Sequence, residues 1–139
     1  EIRHLRFRAF MEMAELPENL ERVIAVETGV DTGETPFPAR LLECTAVMAA
    51  DDFVAIKLRQ HLARAGRAVP EDISLTGYGN LSITRSLYPT LTTADVDREA
   101  LCAGVVEAIE EALQGHGRSE SRFFASRAVL RSSTAAPRP

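Results

Sequence analysis

Few residues in this chain have types and spacings suited to chemistry. Asp51 and Asp52 stand side by side after an apolar run, where a carboxylate pair could hold magnesium or where one of the two could cap a helix. Capping accounts for at least one of them. His4, His61 and His116 are isolated from one another, and His61 falls near the apolar stripe of a helical segment, the place of a packed or half-exposed histidine. Cys44 and Cys102 lie far apart in apolar contexts, which is neither a disulfide framework nor a metal knuckle. Two reduced, packed thiols are expected, and no metal.

Gly77 and Gly79 follow an apolar strand as a dinucleotide fingerprint would, but Ser82 occupies the place of the third glycine. The chain has no Gly-x-x-x-x-Gly-Lys phosphate cradle, no Gly-x-Ser-x-Gly elbow and no His-Glu-x-x-His pair. Neither a cofactor nor an enzymatic activity is expected; a magnesium enzyme built on Asp51 or Asp52 is the weaker rival.

The elements that would position these residues alternate. Leu5, Phe7, Phe10, Met11 and Ala14 have helical spacing with no capping residue before Glu1, so the first residue reads as a cut in a longer chain. A strand over residues 22–26 follows, then a short helix from Thr35-Pro36 to Leu42 and a strand over 44–49. Asp51 opens a helix bearing Val54, Leu58, Leu62 and Ala65 on one face, and Gly66 ends it. Further on come a strand over 73–77, a loop at Tyr78-Gly79-Asn80, a short helix over 81–87 and a crossover strand over 91–93. Leu101, Val105, Ala108, Ile109 and Ala112 mark an amphipathic helix closed by Gly115, its acidic face (Glu107, Glu110, Glu111) read as solvated. Two short strands, 123–125 and 127–131, complete an α/β class: a parallel sheet flanked by helices.

At 139 residues the chain is one domain or part of one, and 45% hydrophobic with 26% charged residues suits a packed core. A formal charge of −4 argues against a surface that neutralises many phosphates, and no apolar run is long enough for a membrane span. Direct nucleic-acid binding by this segment, a signal-peptide core and a membrane association are not expected.

Three stretches in order carry a resemblance: residues 44–55 around Met48-Ala49-Ala50-Asp51-Asp52, residues 66–91 with Val69-Pro70-Glu71-Asp72 leading to Gly77-Tyr78, and Pro89-Thr90-Leu91-Thr92-Thr93. With Arg3 to Arg8 at the start and Arg131-Ser132-Ser133-Thr134 at the end, the set resembles the effector-binding region of the lactose repressor (LacI/GalR) family of bacterial transcription regulators. The resemblance implies a periplasmic-binding-protein-like (type I) fold of two α/β lobes clamping a small ligand. Residues 1–139 would be the C-terminal part of the effector-binding domain, an incomplete second lobe. The helix around 97–114 would belong to the first lobe, and residues 122–132 would return. The DNA-binding head and most of the first lobe would lie outside the sequence.

The resemblance also implies site residues. Arg3 matches an arginine that binds ligand hydroxyls or carboxylates, its planar fork suiting bidentate recognition. Asp51 replaces the usual cleft asparagine, and Asp52 matches a following aspartate that serves as a cap or interlobe contact. Gly79 stands where many members carry a ligand-accepting aspartate, with Asn80 next to it, and Arg98 falls where an aromatic often approaches the ligand. Losing a carboxylate and gaining a cation tilts the expectation toward an acidic or phosphorylated sugar. The implied function is effector sensing by a cytoplasmic repressor, dimeric and reaching operator DNA only through the head. The alternative is an extracytoplasmic sugar-binding receptor of an uptake system.

Overall fold

The computed structural model describes residues 37–115 and 121–136. The expected helix over 5–14 and strand over 22–26, together with Arg3, His4 and His116, lie outside the described residues. The chain divides into two units at Ala39, and the second, Arg40–Pro139, carries the sheet.

Four strands form that sheet in the order β1 (Ala46–Met48), β2 (Ser74–Tyr78), β3 (Thr92–Val96) and β4 (Ser126–Val129). The first three run parallel, with Met48 opposite Thr76 and Tyr78 opposite Ala94. Strand β4 is antiparallel to β3, with Asp95 opposite Arg127, so the sheet is mixed where alternation alone predicts a parallel one. No strand forms at 123–125; β4 begins only at Ser126.

Helix α1 (Asp52–Arg64) connects β1 to β2, and it forms where the capping pattern predicts. The Asp51 side chain accepts from the Val54 amide at 2.8 Å, and Gly66 takes the left-handed conformation (φ 72°) just past the end. Ala55, Leu58 and Leu62 face inward with Ile73, Leu75 and Leu91, giving a small aliphatic core between α1 and the sheet. The turn into β2 is closed reciprocally: the Ala68 amide donates to the Asp72 carboxylate at 2.9 Å and the Asp72 amide donates back to the Ala68 carbonyl.

The segment expected as a helix over 81–87 is only a 3₁₀ turn, Ser82–Arg85. Helix α2 (Arg98–Leu113) has the expected bounds, with Asp97 accepting from the Ala100 amide at 3.0 Å. Its apolar stripe is not packed, however. Leu101, Val105, Ile109 and Leu113 are exposed, Gly104 is its one buried residue among those described, and Cys102, expected to be packed, is exposed too.

The acidic face of α2 is not purely solvated either. Arg122 donates to Glu107 at 3.0 Å, to Glu111 at 2.8 Å and to the Gly104 carbonyl at 3.2 Å. The Phe124 ring lies so close to Gly104 that a Cβ there would stand 2.4 Å from its Cζ. Helix and returning segment are therefore clasped together.

Residues 131–135 lace the other end of the sheet. The Leu75 amide donates to the Ser133 carbonyl at 2.8 Å while the Ser133 hydroxyl donates to the Leu75 carbonyl at 2.6 Å and accepts from the Thr92 amide at 2.8 Å. The Thr90 amide donates to the Ser132 hydroxyl, and Ser74 pairs with Ala135.

Candidate functional site

The carboxyl ends of β1, β2 and β3 deliver Asp51-Asp52, Gly79-Asn80 and the run Asp95 to Arg98 to one end of the sheet, where open α/β folds place their ligands. Asp52 organises this end. It is fully buried, and its Oδ1 accepts the Thr93 hydroxyl proton at 2.6 Å while Oδ2 accepts from the Leu81 amide at 2.8 Å. Of the two aspartates, Asp51 is the cap and Asp52 the internal brace. A Cβ on Gly77 would stand 2.3 Å from Asp52 Oδ1, so only glycine fits beneath that carboxylate.

The loop after β2 is held from several sides. The Gly79 amide donates to the Ala94 carbonyl at 2.8 Å and the Asn80 amide to the Thr93 hydroxyl at 3.3 Å. Gly79 has φ 122° and Asn80 φ 49°; the first is a region that side chains rarely adopt, the second one that asparagine tolerates. An aspartate at Gly79, as in the related pattern, would have to strain this backbone.

Arg98 reaches back from the first turn of α2 and donates through Nη2 to the Gly79 carbonyl. Two residues expected separately as ligand contacts are thus in direct contact. The Asn80 Oδ1 accepts from Arg131 Nη2 at 2.6 Å, while Arg131 Nη1 donates to the Leu91 carbonyl at 2.6 Å and to Thr84 Oγ1 at 3.0 Å. Beside them Arg127 donates to Asp95 through Nε at 3.2 Å and Nη2 at 3.0 Å. The Arg127 guanidinium, and after it the Asn80 amide, holds the Asp95 carboxyl below its ordinary value of 3.8.

A cavity of about 570 Å³, within the small-molecule range, is lined by Asp95, Asp97, Arg98, Glu99 and Arg127 among others. It takes in Arg98 but not Asp51, Gly79 or Asn80. Its wall carries three carboxyl groups against two guanidiniums, a more acidic balance than Gly79 and Arg98 alone suggest. Among the described residues no three His, Cys, Asp or Glu side chains converge as a metal site, and no helix is long and apolar enough to cross a membrane.

Asp51, Gly79, Asn80 and Arg98, expected as ligand contacts, lie at this end of the sheet, and so do Arg131, Asp95 and Arg127, which were given no role. Arg131 stood inside a quoted motif, yet nothing local shows that its guanidinium reaches a loop 51 residues earlier. The Asp95–Arg127 pair depends on the antiparallel register of β4, which alternation does not reveal.

Residues 1–134 match the family described as periplasmic binding protein-like domain. The chain is 30% identical over 135 residues to the HTH-type transcriptional regulator GanR of Bacillus subtilis (strain 168), a match covering 89% of this chain and 39% of that protein. A solved lac repressor dimer, bound to operator and the anti-inducer ONPF, is similar with a TM-score of 0.61 and 27% identity over 66% of this chain and 32% of its own. A LacI family transcriptional regulator from Enterococcus faecium with bound ribose matches 95% of this chain and 50% of its own with a TM-score of 0.74; at 23% identity that likeness bears on fold alone. The chain spans 28% and 39% of the length of two curated regulators that it matches.

Proposed function

Since the chain belongs to the periplasmic-binding-protein-like domain family, in the form shared by lactose-repressor-type regulators, we propose that it senses a small-molecule effector for a bacterial transcription regulator. The effector is a sugar-like metabolite held between this part and a first lobe to which α2 belongs. No bond is made or broken; ligand binding biases a closure of the lobes that moves the DNA-binding heads of a cytoplasmic homodimer. Operator DNA is reached through the heads, not through this acidic segment.

The observation that carries the reading is the seating of Arg98 on the Gly79 carbonyl at the carboxyl end of the sheet. It unites the crossover and the loop, the two places from which a clamped ligand is gripped. Arg3, Asp51 and Asn80 complete the proposed contact set. An acidic sugar is favoured over its neutral counterpart by Arg3, Arg98 and the missing carboxylate at Gly79, and opposed by Asp95, Asp97 and Glu99.

The receptor alternative shares the fold, but relatives named as HTH-type transcriptional regulators favour the regulatory reading. A thermal-shift screen of the intact protein against sugars and sugar acids, followed by operator binding with any hit, tests it. A saturable stabilisation that also changes operator affinity is expected. No response across the panel, or binding without any effect on DNA, would reject it.

A further inference from the structure

Asn80 is the one non-glycine residue at positive φ among those described, and it sits in the loop that carries the proposed ligand contacts. Asparagine visits this conformation more readily than most residues, but a single half-buried loop residue does not stay there unaided. Its side chain has a specific restraint: Oδ1 accepts from Arg131 Nη2 at 2.6 Å.

Arg131 is itself immobilised. Its second terminal nitrogen bridges the Leu91 carbonyl, where β3 begins, and Thr84 Oγ1, in the 3₁₀ turn. Thr84 is fully buried, and its hydroxyl donates to the Leu81 carbonyl at 2.5 Å. The Arg131 amide is fixed in turn by the Thr92 hydroxyl at 2.9 Å. One planar fork thus spans the start, middle and end of the 80–91 segment, a task for which the single nitrogen of lysine has no geometry.

The three groups that receive this guanidinium are all neutral oxygens. Among the described residues its charge is not spent on an ion pair, and what it contributes is direction. From this geometry we infer that Arg131 is a positioning residue of the effector site: it sets Asn80, and through Asn80 the Gly79 carbonyl on which Arg98 rests. The inference builds on the proposed ligand site and adds a residue that makes no ligand contact itself.

The test uses the intact protein with Arg131→Lys, Asn80→Ala, Asn80→Asp and the Arg131→Lys/Asn80→Ala double variant. Hydrogen exchange at 79–81 is read against exchange in α1, and affinity is read with D-glucose and D-gluconate as probes. Arg131→Lys and Asn80→Ala should each accelerate loop exchange about tenfold, the loss of one hydrogen bond to a charged group, with α1 unchanged. At residues 79–81 the double variant should go no further than Asn80→Ala alone, because the link from Arg131 to that loop is already gone there. Asn80→Asp keeps an acceptor for Arg131 but sets a carboxylate where the Asn80 amide faces Asp95, so it is made together with Asp95→Asn, and that pair should keep the loop protected.

Unchanged loop exchange in Arg131→Lys, or additive effects in the double variant, would overturn the inference. Should Arg131→Lys not fold, equal loop exchange in Asn80→Ala and wild type would overturn it, and loosening in Asn80→Ala but not in Asn80→Asp/Asp95→Asn would support it. If wild type binds neither probe, that counts against the ligand reading, and the exchange data still decide the role of Arg131.

Discussion

Asp52 and Thr93 are 41 residues apart in sequence and joined by a buried hydroxyl-to-carboxylate hydrogen bond of 2.6 Å. This bond ties the head of α1 to the crossover strand, and the second oxygen of Asp52 ties both to the loop after β2. Three chain segments that approach the proposed ligand are therefore braced by one side chain.

Asp52→Ala should be strongly destabilising. It leaves the Thr93 hydroxyl and the Leu81 amide without their acceptor, at about 1 to 3 kcal/mol each, or about 2 to 6 kcal/mol together. Urea unfolding of the intact protein measures this, and Thr93→Val should reproduce part of the loss. A change below about 1 kcal/mol for Asp52→Ala would contradict the bracing role.

Gly79→Asp would supply the carboxylate that the resemblance leads one to expect there, yet it should not rescue binding of neutral sugars at no cost. The φ of 122° is adverse for any side chain, at about 1 to 3 kcal/mol. Space is not the obstacle, since the nearest atom to a Cβ there, Asp52 Oδ2, is 3.6 Å away. Gly77→Ala fails for the opposite reason, overpacking against Asp52, and a loss of at least about 1 to 3 kcal/mol is expected. Thermal unfolding of both variants checks the pair.

Asp95 provides a pH dependence with a defined sign. Its folded value lies below the ordinary 3.8, so its stabilising contribution is complete above that value and is lost as pH falls through the lower folded one. The stability gap between wild type and Asp95→Asn should be flat above about pH 5 and should close as the solution becomes more acid than that. The effect is modest because Arg127 is 82% exposed and the pair is screened by water. Urea midpoints across an acid pH series measure it; a gap that widens on acidification would reverse the sign.

The charge of the effector is tested by matched pairs such as D-glucose with D-gluconate. The acidic member should bind the intact protein more tightly, and Arg3→Ala should weaken it by roughly ten- to a hundredfold, the worth of a charge-assisted hydrogen bond, while scarcely changing the neutral one. Arg98→Ala should weaken both, because it also releases the Gly79 carbonyl. A clear preference for a neutral hexose would overturn the expectation.

What the sequence revealed divides along a physical line. The cap at Asp51, the stop at Gly66 and the bounds of α2 depend on neighbouring residues, and each is where local chemistry puts it. The exposed stripe of α2 was not legible, because periodicity reports an apolar face without saying what covers it. Nor was the antiparallel β4, whose short run carries no directional signal. Gly79, Asn80 and Arg98 were singled out by resemblance, whereas Arg131 and the Asp95–Arg127 pair act across the fold and leave no local trace.

The lacing of β2 by residues 131–135 bears on how the protein is made. Leu75 and Ser74 receive hydrogen-bond partners that the ribosome adds 58 and 61 residues later. At about 5 to 20 residues per second, that interval lasts roughly 3 to 12 seconds. During it the Leu75 backbone groups of the nascent β2 await their partners, and the lacing is not complete until Ala135 has left the exit tunnel. A product terminated anywhere between β3 and Arg131 would keep those groups open permanently, and should be found in inclusion bodies or bound to chaperones rather than as a smaller working domain.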